Sequence, residues 1–122
     1  MTLSAAALAA LGISASFLPQ ELLSRAAMPA DRFTVALIQL AGALYVAFAM
    51  LNWSAKGALL GGIYGRSIVL ANFTHFAVGG IVLVKIVAAG QLHIEVAVLT
   101  AVYALFAAWF GFVLLGGGPK EA

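Results

Sequence analysis

Four long runs of apolar residues divide the chain, and all ten charged residues except Lys85 and Glu95 lie outside them. The runs cover residues 3–18, 33–51, 67–89 and 94–115. A helix needs about 20 apolar residues, in a range of about 17–25, to cross the hydrocarbon core of a bilayer. Continuous runs rich in Ala and Leu favour helices over barrel strands, which are shorter and alternate. The pattern predicts an all-α integral membrane protein, a four-transmembrane-helix bundle with short connectors.

The connectors have their own local signals. Residues 19–32 form a predicted interfacial connector, in which Pro19 suits the first turn of a short helix. Asp31 stands where it can cap the second span. Residues 52–66 form a second, Gly-rich connector, with glycines four apart at Gly57, Gly61 and Gly65. We expect residues 1–122 to form a single membrane domain.

Composition strengthens the membrane prediction. Of the 122 residues, 65% are hydrophobic and 8% are charged, whereas soluble domains carry about 25% charged residues. A chain this short cannot hide so much apolar surface from water, so its predicted surroundings are the lipid bilayer and other membrane helices. The absence of cysteine excludes disulfides, thiolate metal sites and cysteine nucleophiles. The six basic residues are scattered, which argues against nucleic acid as a partner.

Charge says little about orientation, because Lys and Arg are divided equally between the two predicted sides. Three of the four acidic residues, Glu21, Asp31 and Glu95, fall on the side away from the termini. This weak bias predicts that both termini are cytoplasmic. The expected location is the inner (cytoplasmic) membrane of a bacterium.

Small residues recur three or four positions apart in the first and last spans, which predicts seams for close helix packing. The seam residues are Ala5, Ala9, Gly12 and Ser16 in the first span, and Ala97, Ala101, Ala104, Ala108 and Gly111 in the last. The opposite face of the last span is bulky. Its residues Val102, Phe106, Trp109 and Val113 are predicted to face lipid or a neighbouring subunit. Such surfaces predict a homo-oligomer or a subunit of a membrane complex.

Three polar residues, Asn72, Thr74 and His75, interrupt the third run in the stretch "LANFTHFAVGG", residues 70–80. At about 100° per residue, Asn72 and His75 share one helix face with Gly79, and Thr74 lies on another. The predicted intramembrane polar cluster comprises Gln39, Tyr45, Asn72, Thr74, His75 and Tyr103. It is either a set of interhelical hydrogen bonds or a binding site, because ionisable residues inside a membrane point to function.

Charged residues at the membrane surface suggest two further contacts. Lys56 and Arg66 lie within the Gly-rich connector and are candidates for contact with an anionic headgroup or ligand. The alternative is a simple interfacial anchor. Lys85 can extend to the interface and pair with Glu95. The glycosylation-type triplets that begin at Asn52 and Asn72 are discounted, because they lie at or in the bilayer.

Three functions remain open. The first is a non-catalytic subunit, scaffold or assembly partner, for which no cofactor is expected. The second is a small-molecule, lipid or ion transporter or channel that uses Gln39, Asn72 and His75. The third is a redox protein that binds haem or quinone through His75. His93 is 18 residues further on, about 27 Å along a helix, so one iron cannot reach both histidines of one chain. No metal site and no catalytic residue set is predicted.

Overall fold

The computed structural model describes residues 1–57, 63–90 and 93–117, and all regular structure in these ranges is helical. The chain divides into two compact units, Met1–Gly57 and Ala58–Ala122. Three of the described helices are long and apolar enough to cross a membrane, and a bent pair at the start raises the number to four if it counts as one span. The predicted all-helical class is confirmed, with three to four candidate spans.

The first unit begins with two helices, α1 (Thr2–Phe17) and α2 (Pro19–Arg25), which are bent by 96° relative to each other. Leu18 leaves the helical conformation between them (φ −124°, ψ 43°), because Pro19 supplies no N–H and disfavours a helical residue before it. The short helix predicted after Pro19 is confirmed. α1 has 16 residues and spans about 24 Å, which is less than the hydrocarbon core of about 30 Å.

The end of α2 is closed by a Schellman motif. The N–H of Met28 donates to the carbonyl of Leu23 at 2.9 Å, and the N–H of Ala27 donates to Ser24 at 3.1 Å. This motif needs a left-handed residue, and Ala27 occupies the position with φ 52°. An alanine there has a steric cost that glycine would not have.

α3 (Arg32–Ser54) begins at the predicted cap residue Asp31, which confirms that prediction. Its carboxylate accepts hydrogen bonds from the N–H of Phe33 at 3.0 Å and of Thr34 at 3.1 Å, and also from the Thr34 hydroxyl. The hydroxyl bond is the largest of the effects that hold the pKa of Asp31 below its ordinary value. The 23 residues of α3 extend over about 35 Å, enough to cross the hydrocarbon core.

α1 and α3 pack through direct backbone contact at two glycines. A Cβ added to Gly12 would lie 2.8 Å from the backbone N of Val46, and one added to Gly42 would lie 2.7 Å from the backbone N of Ser16. No residue with a side chain fits at either point without moving a helix. Such close approach gives extensive van der Waals contact, which is what holds helices together in lipid.

The second unit contains α4 (Ile63–Ala88) and α5 (Ile94–Phe112). The chain after α5 forms a further turn, Val113–Gly117, in which Gly116 leaves the helical conformation (φ 93°). Gly90 follows the end of α4 with φ 86°, a left-handed conformation that glycine adopts without strain.

The helices flanking the Gly-rich connector extend further than predicted, because α3 reaches Ser54 and α4 already begins at Ile63. Residues 58–62 of that connector, Gly61 among them, lie outside the described residues.

The packing face of α5 differs from the predicted one. Ala101, Ala104 and Ala108 of the predicted seam are exposed. The aromatic residues Tyr103, Phe106 and Phe110 contact α4 instead. Phe106 lies 4.9 Å from Phe76, centroid to centroid. Val113, predicted to face outward, is buried, whereas Trp109 is exposed as predicted. The reason is steric, because glycines of each helix accept aromatic rings of the other.

Candidate functional site

His75 of α4 and Tyr103 of α5 form a polar contact inside the second unit. The Tyr103 hydroxyl oxygen lies 3.2 Å from the His75 Nε2, within hydrogen-bonding distance. Tyr103 is buried, with 2% of its surface exposed, and His75 is half-buried. An imidazole beside a phenol can exchange or relay a proton, or can position a ligand atom.

Aromatic rings surround this pair. Phe76 packs edge-on against His75 and Tyr103, each at a centroid distance of 5.1 Å. Phe76 also stacks on Phe110 at 5.9 Å. These edge-to-face and stacked arrangements are the favourable ones for aromatic pairs, so the cluster holds the phenol and the imidazole in a defined geometry.

Two glycines make room for these rings. A Cβ on Gly79 would lie 2.5 Å from Cε1 of Tyr103, so the Tyr103 ring rests directly on the α4 backbone. In the other direction, a Cβ on Gly111 of α5 would lie 3.1 Å from the Phe73 ring of α4. Each helix therefore offers a glycine notch to an aromatic ring of the other. Gly111 of the predicted seam therefore takes part in the contact, whereas the alanines of that seam, Ala101, Ala104 and Ala108, stay exposed.

The other two polar residues of the stretch 70–80, Asn72 and Thr74, lie at different positions on α4. Asn72 is fully buried, and its Nδ2 donates to the carbonyl of Ile68 at 2.9 Å, one turn earlier. Thr74 is exposed. The structure thus separates the two faces as the helical spacing predicts, with Asn72 and His75 inward and Thr74 outward.

The two remaining members of the predicted cluster belong to the first unit. Gln39 is exposed, and its Nε2 donates to the carbonyl of Ser16 at 3.3 Å, which links α3 to the end of α1. Tyr45 is half-buried on α3. A single cluster that joins them to His75 stays a prediction.

The first unit contains a buried polar pair that sequence reasoning missed. The Nδ2 of Asn52 donates to the Oγ of Ser4 at 3.1 Å, and both residues are fully buried. The Ser4 hydroxyl in turn donates to the carbonyl of Met1 at 2.8 Å. The sequence does contain a signal for this pair. Asn52 lies on the same face of α3 as the small residues Gly42 and Ala49, and a polar residue on that face points toward the partner helix.

The seam predicted in the first span lies along the α1–α3 contact. Ala5 and Gly12 are buried there, and Ala9 and Ser16 are half-buried. In α5, Gly111 and Ala97 are half-buried. Small residues therefore have different roles in the two units: they bring backbones together in the first and accept aromatic rings in the second.

The charged candidates lie at helix ends. The Lys56 Nζ stands 3.2 Å from the centroid of the Trp53 ring, a close cation–π contact. Arg66 is exposed in the first turn of α4, Lys85 is exposed in its last turn, and Glu95 is exposed in the first turn of α5. The pairing of Lys85 with Glu95 and the joint anion contact of Lys56 with Arg66 stay predictions.

Within residues 1–57, 63–90 and 93–117, no group of three or more His, Asp or Glu side chains is arranged to hold a metal ion. His93 lies at the exposed start of α5, and Glu95 follows it. The candidate site of the described structure is therefore the His75–Tyr103 pair with its aromatic surroundings.

Comparison of the chain with protein-family models, with curated proteins and with solved structures gives no match.

Proposed function

We propose that this protein is a non-catalytic subunit, scaffold or assembly partner of a membrane complex, with four lipid-crossing segments. One observation carries the proposal. Within the most apolar window of each of the three long helices, only 11–17% of the residues are buried. Surfaces so apolar and so open suit lipid and the helices of other chains. The polar side chains that are buried, such as Ser4, Asn52 and Asn72, donate hydrogen bonds inside their own unit.

α1 is proposed as a fourth span because it packs along α3. Ser4 contacts Asn52 near one end of the pair, and Ser16 accepts from Gln39 near the other. α1 therefore lies beside most of the length of α3. If α3 crosses the membrane, α1 occupies the same depth, and α2 then turns away at 96° to lie in the interface as an amphipathic connector.

Single-cysteine labelling tests this topology directly, because the natural chain has no cysteine. We expect Thr2→Cys and Lys56→Cys to react with a membrane-impermeant maleimide from one side, and Met28→Cys from the other. We further propose that the Thr2 side is the cytoplasmic side of a bacterial inner membrane. Labelling of Thr2→Cys and Met28→Cys from the same side would leave α1 outside the membrane and reduce the spans to three.

The exposed alanines of α5 are the surface we propose for helix association. Ala101, Ala104 and Ala108 follow one another at spacings of three and four, and such small-residue stripes allow close approach of membrane helices. A second copy of the chain, or a partner subunit, would place a helix along this stripe.

The mass of the protein in detergent micelles and lipid nanodiscs tests the assembly proposal. We expect at least two chains per particle, and we expect the double variant Ala101→Leu/Ala108→Leu to dissociate into single chains. Ala47→Leu is the matched control, because Ala47 is an exposed alanine of α3 outside the stripe. A single chain with no associated protein in both environments contradicts the proposal.

The His75–Tyr103 contact favours a second candidate function, an intramembrane site for a proton or small ligand in transport or redox chemistry. Its test is independent of assembly. His75→Ala and Tyr103→Phe would abolish ligand-dependent flux, or a haem absorption band, in the purified protein. If neither variant changes flux or absorbance, the contact has a structural role only.

A further inference from the structure

An open apolar groove of about 370 Å³ runs along the contact of α1 and α3. Its floor is made of small residues, among them Ala5 and Ala49, which are 3% and 6% exposed. Ala6, Ala9 and Met50 also line it. Because these side chains offer no hydrogen bond, the groove suits a flexible hydrocarbon chain.

One end of the groove differs in chemistry from the rest. Trp53 and Ser54 line that end, and the Lys56 ammonium stands over the Trp53 ring at 3.2 Å from its centroid. Lys56 does not itself line the groove, but this cation–π contact holds its ammonium against the ring of a residue that does. Tryptophan and lysine at the end of a membrane helix mark the level of the lipid headgroups.

The described first unit has no carboxylate near the Lys56 ammonium. Its two acidic residues, Glu21 and Asp31, lie in α2 and at the start of α3. Both are at the opposite end of the long helix from Lys56, since Asp31 precedes α3 and Lys56 follows it. The groove end therefore attracts an anion, and no carboxylate of this unit competes for the ammonium.

We propose that the groove binds an acyl chain of an anionic phospholipid, whose phosphate contacts the Lys56 ammonium and the Ser54 hydroxyl. The apolar groove and the cation at its end reproduce the order of tail and headgroup in such a lipid. A free phosphate would gain nothing from the apolar walls, and a zwitterionic lipid would gain little from the lysine. The inference rests on the membrane location given under the proposed function.

Tryptophan quenching by brominated lipids measures this binding. The chain has two tryptophans, and Trp109→Phe leaves Trp53 as the only reporter at the groove. The protein is reconstituted in phosphatidylcholine vesicles that contain tail-brominated phosphatidylglycerol or, at the same mole fraction, tail-brominated phosphatidylcholine. One basic residue near an anionic surface corresponds to about a fivefold preference. We expect an apparent affinity about fivefold higher for the brominated phosphatidylglycerol.

Paired variants separate the headgroup contact from the groove. Lys56→Gln should remove the preference, and Arg32→Gln, which removes a charge at the other end of α3, should retain it. Ala6→Phe should weaken quenching by filling the groove. Ala10→Phe should not, because Ala10 is exposed on α1 and does not line the groove.

The possible results separate a failure of the lipid site from a failure of the membrane location. Equal quenching by the two brominated lipids, or equal losses in Lys56→Gln and Arg32→Gln, overturns the proposal. If Ala6→Phe leaves quenching unchanged, the acyl chain does not occupy the groove, and the proposal is also wrong. If neither lipid quenches Trp53, the membrane location itself fails. Quenching by both lipids without preference refutes the lipid site and leaves the membrane location intact.

Discussion

Two adjacent glycines of α4 allow a sharp test of the packing in the second unit. A Cβ added to Gly79 would lie 2.5 and 2.9 Å from two ring carbons of Tyr103, whereas one added to Gly80 would lie 3.8 Å from the Tyr103 Cβ, an ordinary contact. The substitutions Gly79→Ala and Gly80→Ala are chemically identical and one residue apart. The structure predicts opposite effects on stability.

The size of the Gly79→Ala effect follows from what Tyr103 can do. The ring would have to move by about 0.9 Å to restore the 3.4 Å of ordinary contact. Phe76 lies 5.1 Å from its centroid and blocks an easy swing. Overpacking of this kind costs about 1–3 kcal/mol, and loss of the bond to His75 adds about 0.6 kcal/mol, the average for a hydrogen bond between membrane helices. The better helix propensity of alanine offsets up to about 1 kcal/mol in either variant.

We therefore expect Gly79→Ala to destabilise the protein by about 1–3 kcal/mol and Gly80→Ala to leave it unchanged or slightly more stable. Unfolding by sodium dodecyl sulfate from dodecyl maltoside micelles, followed by circular dichroism, measures the difference. A companion measurement in the Tyr103→Ala background should abolish the difference, because the obstructing ring is gone. If Gly79→Ala is as stable as Gly80→Ala, the close contact of Tyr103 with the α4 backbone does not exist.

Three more predictions concern the first unit and use the same unfolding assay. Gly42→Ala should cost about 1–3 kcal/mol, because the added carbon meets backbone atoms of α1 that cannot rotate away; an unchanged midpoint would refute the α1–α3 contact. Ala27→Gly should stabilise by up to about 1 kcal/mol by relieving the left-handed alanine, whereas Ala26→Gly, at an ordinary φ of −82°, should destabilise. The pKa of Asp31 is lowered in the folded state, so its stabilising effect is present above about pH 3.9 and is lost as pH falls through the lower folded value. Asp31→Asn should flatten that acid limb of the stability profile, and an identical profile would contradict the capping geometry.

The helix ends show how far local signals reach. Pro19 and Asp31 marked the bend and the start of α3, because a missing N–H and a capping carboxylate act on neighbouring residues. At the Gly-rich connector, α3 ends three residues beyond its predicted span and α4 begins four residues before its own. Hydropathy indicates where an apolar run ends, but the backbone hydrogen bonds of a helix can continue into the polar residues beyond it.

For the polar residues, the sequence predicts which helix face they occupy but not which residues they contact. The inward face of Asn72 and His75 follows from helical spacing, and the predicted polar cluster includes Tyr103. Their contact depends on Gly79, whose notch for the Tyr103 ring has no signature that distinguishes it from the neighbouring Gly80. The Ser4–Asn52 pair escaped notice because its members are 48 residues apart and neither is ionisable.

The amino-acid pattern alone predicts an all-helical chain with four membrane spans, and the structure confirms the helical class with three to four candidate spans. That much depends on length, apolarity and the need of a buried backbone to satisfy its own hydrogen bonds, which are properties of each segment alone. Tertiary contacts determine the rest, above all which face of α5 packs against α4. In lipid both faces of a helix are apolar, so hydrophobicity does not distinguish the inside from the outside. The choice between the alanine face and the aromatic face of α5 was made by steric fit, through glycine notches that become visible only when two helices are brought together.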